Sequence, residues 1–186
     1  LKKHKALRLF MIITVLFIKI TLLTMIIRTH LETNLAFVIT AVLIILIMVF
    51  GYKYLDLHHE DFAYEKLSYV LWVPVGAVLC YILNVTCGLG SILAAGIVGT
   101  SASFLPVINK DSLYLKQIPV SIYCGAFVGM SSVETSPSIL FVFAAGCLAG
   151  LLLMVSKNLY LGVGGKLGTM AFGGVILSSL IYWLVA

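Results

Sequence analysis

From Leu35 to Tyr52 the chain runs eighteen residues without a charged side chain, and long apolar stretches of this kind recur along it. Seven can be marked: Leu9 to Ile27, interrupted only by Lys19, Leu35 to Tyr52, Leu67 to Val85, Leu89 to Ile108, Ile118 to Ser132, Ser138 to Val155 and Leu167 to Ala186. A straight helix crosses a bilayer with about 20 apolar residues, within a range of about 17–25. Six stretches meet that length. The fifth, Ile118 to Ser132, falls short, so it must span a thinned region, run on through Val133, or dip in and return. The region 118–155 is thus either fully spanning or re-entrant. In hydrocarbon every backbone N–H and C=O must be paired within the protein, and helices achieve this within one segment. The expected fold class is all-α, a polytopic transmembrane helical bundle of seven spans.

Composition leaves little else. The 186 residues are 62% hydrophobic and only 10% charged, with a mean hydropathy of +1.16. A soluble domain carries about 25% charged residues. Too few charges are present to cover a soluble surface, and disorder, a disulfide-stapled secreted fold and a nucleic-acid-binding domain are excluded with it. The net charge of +5 reads as basic loops facing an anionic leaflet. No nucleic-acid partner is expected.

The basic residues orient the chain. Lys2, Lys3, Lys5 and Arg8 precede the first span; Lys53 and Lys66, Lys110 and Lys116, and Lys157 and Lys166 fill alternate loops. The loops on the other side hold Arg28 alone, and Lys19 lies inside a span. Lysine and arginine mark cytoplasmic loops. The expected location is a bacterial-type inner membrane, with the N-terminus cytoplasmic, retained as a signal-anchor helix, and the C-terminus external. The apolar run is longer than a signal-peptide core and no small-residue cleavage site follows it.

Two regions resemble each other internally. Ala94-Ala95-Gly96, Leu113-Tyr114-Leu115, Gly125-Ala126-Phe127-Val128-Gly129 and Ser131-Ser132 are followed in the same order by Ala144-Ala145-Gly146, Leu159-Tyr160-Leu161, Met170-Ala171-Phe172-Gly173-Gly174 and Ser178-Ser179. Each copy holds two crossings, so the repeat is parallel. The architecture reads as one N-terminal helix plus three hairpins, the last two repeated. Two parts are expected: residues 1–87, with an amphipathic cytoplasmic loop over 53–66, and a Gly-rich packed core over 88–186. Helices associate in lipid by close approach at small residues. Gly96, Gly99, Gly125, Gly129, Gly146 and Gly150 supply such faces, and a homo-oligomer in the bilayer is expected.

Candidate functional residues are few. Lys19 sits near mid-membrane, where a lysine costs at least about 2.5–3.5 kcal/mol, and no Asp or Glu lies within any of the seven stretches. It can serve an anion, a lipid phosphate or a substrate carboxylate, or extend its stem toward an interface. The segment Ser131-Ser132-Val133-Glu134-Thr135-Ser136-Pro137-Ser138 follows the short fifth stretch, with Pro137 suited to the first turn of the next helix. It is an external turn if the fifth stretch spans. If that stretch is half-inserted, Glu134, Ser131, Ser132 and Thr135 lie at depth, where a cation or polar solute binds. Thr100-Ser101-Ala102-Ser103 adds hydroxyls, with Ser101 the candidate among them. In the loop 53–66, His58, Asp61 and Glu65 share a helical face and form a weak metal set; a solvated polar face is the plainer reading. Gly162 to Thr169 is as glycine-rich as a phosphate-binding loop but lacks its spacing and its preceding strand. Asn84-Val85-Thr86 is a sequon abutting a span end. Cys80, Cys87, Cys124 and Cys147 have no paired spacing and read as packing residues. No hydrolytic or redox constellation stands out, so neither enzyme activity nor a cofactor is expected. Two functions follow. One is a channel or small-solute or ion transporter. The other is a sensor or anchor subunit that recruits a cytoplasmic effector, of stress or phage-defence type, through the loop 53–66.

Overall fold

The computed structural model describes residues 2–30, 35–54, 64–157 and 165–185. Their regular structure is entirely helical, and three helices, Leu67–Thr86, Ser91–Ile108 and Lys166–Leu184, are long and apolar enough to cross a membrane. Exposed apolar side chains are abundant: Ile92, Leu140 and Trp183 each keep at least 75% of their surface. Water disfavours such surfaces and lipid does not.

The chain divides into two compact units. The first holds α1 (Lys2–His30) and α2 (Leu35–Tyr54). Ile18 and Ala41 are buried there. The hydroxyls of α1 are satisfied within the helix: Thr14 Oγ1 donates to the Phe10 carbonyl, Thr21 to Phe17 and Thr24 to Ile20, each at 2.8 Å. Such back-bonding lets threonine sit in an apolar helix without a distant partner.

The second unit runs through α3 (Leu67–Val70), α4 (Trp72–Tyr81), a π-helical segment (Ile82–Thr86), α5 (Ser91–Ser103), α6 (Leu105–Ile108), α7 (Leu113–Gly129), α8 (Ile139–Val155) and α9 (Lys166–Val185). Its breaks follow from proline. Pro74 has no N–H for the carbonyl of Val70 and its ring crowds that carbonyl; the helix interrupts at Leu71. Pro106 separates α5 from α6 at Phe104 in the same way. α7 starts at Leu113, where the Ser112 hydroxyl accepts from Leu115 N at 3.4 Å, and ends at Gly129. The fifth apolar stretch is thus part of a longer helix, extended before Ile118 and not through Val133. Hydropathy marks where a helix turns apolar, and capping marks where it begins. Pro137 lies one residue before the N-cap of α8, Ser138, whose hydroxyl accepts from Phe141 N. It sits outside the first helical turn where the sequence expectation put it.

Glycine sets the core. A Cβ at Gly125 would strike the Val73 carbonyl and the Ala77 nitrogen, and one at Gly129 the Ala77 carbonyl and Cys80. α4 and α7 therefore run parallel in backbone contact. A Cβ at Gly146 would lie 2.7 Å from Pro74 Cα, and one at Gly150 would lie 2.8 Å from Val70 Cγ1. The order is reversed, so α8 is antiparallel to α4. Gly174 meets Ala145 and Ala149, and Phe141 stacks edge-on against Tyr182 at 6.3 Å, which sets α9 antiparallel to α8. Gly99 meets the Tyr123 ring. Gly96 has nothing within 4 Å of an added Cβ, although its counterpart in the internal similarity, Gly146, is fully packed. The helix over 67–86 belongs with this glycine-rich unit, and the expected division after Cys87 falls inside it. The reason is that the glycines of α7 and α8 take α4 as their partner.

Candidate functional site

At one end of the second unit, where α8 stops and α9 starts, charged groups converge. The backbone N–H of Glu65 donates to the Met154 carbonyl at 3.0 Å, which ties the entry to α3 onto the last turn of α8. Lys157 Nζ then pairs with Glu65 Oε1 at 3.3 Å, and the same oxygen accepts from Lys66 N. A partly exposed pair of this kind is worth about 0–1 kcal/mol; it orients the two chains more than it holds them. Lys166 does more. Its Nζ donates to the carbonyls of Ser156 at 2.5 Å and Lys157 at 2.9 Å. These lie at the C-terminus of α8, where carbonyls lack helical partners and carry partial negative charge. A lysine from the next helix therefore caps α8.

These groups open onto a cavity of about 170 Å³, also lined by Tyr69 and by Gln117 and Ser121 of α7. Ser121 is 2% exposed and lines this cavity. Aromatics surround the same end. Tyr69 and Tyr114 stack at 5.2 Å, Trp72 Nε1 donates to Tyr114 Oη at 2.9 Å, and Tyr114 Oη donates to the Ser68 carbonyl at 3.3 Å. Tyrosine and tryptophan with lysine favour the boundary between an apolar layer and water.

Among the described residues the opposite end is uncharged apart from Glu134. Tyr81 Oη donates to the Ser136 carbonyl at 2.6 Å. Asn84, in the π-helical segment, donates its Nδ2 to the carbonyls of Gly129 and Ser131, both at 3.2 Å. Ser131 Oγ bonds the Val128 carbonyl, and Ser132 and Thr135 bond each other at 3.2 Å. Glu134 is exposed in this turn. The hydroxyls of Ser131, Ser132 and Thr135 close the turn upon itself. The buried Ser136 hydroxyl has no partner among the described residues, and the sequon nitrogen of Asn84 also bonds within the turn.

The other sequence candidates are dispersed. Lys19 belongs to the first unit and is half-buried on α1. Ser101 is exposed on α5 beside an apolar groove that includes Trp72, Leu79 and Ile97. His58 and Asp61 lie outside the described residues, as do Gly162 to Gly164. Glu65, their expected companion, is the ion-pair partner of Lys157, and among the described residues no three His, Cys, Asp or Glu gather as a metal set. The four cysteines are free, with Cys80 and Cys124 buried. Reading by sequence treated Lys157 and Lys166 as topology markers alone and passed over Gln117 and Ser121. The available signal was that a lysine stands at each end of the α8–α9 connection. Comparison with protein families, curated proteins and solved structures finds no match.

Proposed function

We propose that the protein is a seven-span protein of a bacterial-type inner membrane, N-terminus cytoplasmic and C-terminus external, that serves as an anchor or sensor subunit for a cytoplasmic partner. The observation that supports this over transport is the character of the interior. Val73, Ala77, Cys80, Cys124, Val142 and Ala149 are completely or almost completely buried in the second unit, and glycine brings the backbones around them into contact. Charged groups collect at the ends, where the basic one faces the cytoplasm in this topology. The Glu65–Lys157 end, which follows the charged loop over 53–66 in the sequence, is the surface offered to a partner. A homo-oligomer is part of the proposal, supported by the open small-residue face at Gly96. No enzymatic step or cofactor is assigned.

Transport of a small solute or ion is the second reading. It is favoured by the reach of the cavity to Ser121, the middle residue of α7, since transporter sites lie deep between helices. The full chain reconstituted in vesicles decides between them. The expected result is sodium, potassium, chloride and phosphate flux equal to that of protein-free vesicles. Flux above that background overturns the anchor reading and assigns the protein to transport.

A further inference from the structure

We infer that the cavity bounded by Tyr69, Gln117, Ser121, Lys157 and Lys166 is a binding site for a phosphate-type anion. At about 170 Å³ it is an order of magnitude above the roughly 10–15 Å³ that admits one water. It therefore has room for a compact polyatomic ion or a headgroup phosphate. Its walls come from separate parts of the chain: Tyr69 from α3, Gln117 and Ser121 from α7, Lys157 after α8, and Lys166 at the start of α9.

Charge selects the sign of the ligand. Two ammonium groups face one carboxylate, and that carboxylate, Glu65, is already paired with Lys157. Among the described residues lining the cavity the balance is one positive charge, with the exposed ammonium group of Lys66 following Glu65 in the chain. A cation would find one occupied carboxylate; an anion finds surplus donors. Lys166 has three N–H groups and gives two of them to the end of α8, leaving one. Ser121 brings a hydroxyl whose residue is almost wholly buried, and Gln117 brings an amide. Lys166 and Leu167 also open α9, and the first N–H groups of a helix have no partners within it and carry partial positive charge.

The geometry of the donors selects the class. The planar fork of arginine serves carboxylate and phosphate alike, whereas lysine binds phosphate as a point charge; none of the described lining residues is an arginine. Lysines act as compact point charges with rotatable donors, and here they stand with single donors on several walls. That distribution suits a tetrahedral group with oxygens in several directions. The chemistry is shared by inorganic phosphate and by a phospholipid headgroup. The site does not depend on the anchor reading, since a transporter would use it equally.

The test uses the full chain in dodecyl maltoside, a detergent without phosphate, titrated with inorganic phosphate against chloride at equal ionic strength. A second titration adds phosphatidylglycerol to the micelles, with diacylglycerol, which lacks the phosphate, as its control. Thermal unfolding and phosphorus NMR linewidth report binding. The expected result is a rise in unfolding temperature and line broadening with one phosphate source. Response to soluble phosphate identifies a free anion, and response to phosphatidylglycerol alone identifies a headgroup. Gln117→Leu and Lys157→Met should keep the parent's unfolding temperature in chloride within a few degrees and raise the half-saturating concentration about tenfold or more, the usual effect of losing a bond to a charged group. Lys166→Met is set aside because it also uncaps α8. No response to either source beyond chloride and diacylglycerol overturns the site. So does a response undiminished in both variants; should Lys157→Met fail to fold, Gln117→Leu decides alone.

Discussion

The two units solve the same problem by opposite means. α1 and α2 are built from isoleucine, leucine and threonine without interior glycine until Gly51. Ile18 and Ala41 are buried, but Phe17, Ile39 and Ile47 are well exposed. The second unit is built around glycine and alanine, and its helices approach until backbone meets backbone. Lipid rewards the burial of leucine no more than a neighbouring helix does, so large apolar side chains are indifferent to partners while small residues demand them. One unit thus takes its structure from segments that satisfy themselves, the other from fit.

The most severe way to break this contrast is a side chain at Gly125. Gly125→Leu must displace the Val73 carbonyl and the Ala77 nitrogen, and overpacking costs at least about 1–3 kcal/mol even where side chains yield. The expected outcome is loss of most folded protein by size-exclusion chromatography. Ile45→Leu on α2, a volume-conserving change, should cost less than about 1.5 kcal/mol and leave yield unchanged. Equal tolerance at both positions would erase the distinction between the units.

A smaller effect is expected at the polar end. Lys166→Met leaves the Ser156 and Lys157 carbonyls without their donor, a loss of about 1–3 kcal/mol for bonds to a charged group. Unfolding temperature in detergent should fall further than for Lys157→Met, whose pair with Glu65 is partly exposed. The reverse order would mean that the ion pair, not the cap, closes this end.

The smallest effect has the opposite sign. Gly96 is inside α5 and an added Cβ meets nothing within 4 Å. Gly96→Ala should stabilise the monomer by about 0.5–1 kcal/mol, because alanine loses less backbone entropy. A drop in stability that appears only at high protein concentration would show instead that another copy of the chain closes on this face.

Much of the helical frame was legible from apolar runs, and the sites of close packing from glycine spacing. The spacing of Gly125 with Gly129, and of Gly146 with Gly150, gives a face but not its partner. That partner is α4, which contributes Val73, Pro74 and Ala77. The break at Leu71 was legible from Pro74, had hydrogen-bond accounting been added to hydropathy. The cavity was not legible. Glu65, Gln117, Lys157 and Lys166 come together through tertiary packing, and a lysine beside an apolar run looks the same whether it marks a membrane face, caps a helix or lines a cavity. Ser131, Ser132 and Thr135 stand out in the sequence because composition cannot reveal that such hydroxyls bond within their own turn.

The pairing of α4 with later helices has a consequence in time. Pro74 meets Gly146 and Val73 meets Gly125, so the core closes between segments far apart in the chain. Synthesis proceeds at about 5–20 residues per second, so the ribosome needs roughly 4–14 s to travel from Pro74 to Gly146. For that interval α4 has left the ribosome while α8 does not yet exist. It must wait with a proline-interrupted backbone and its small-residue faces uncovered. Whatever shelters a nascent membrane helix therefore has to hold this one through the insertion of α5 and α7, and α8 ends the wait.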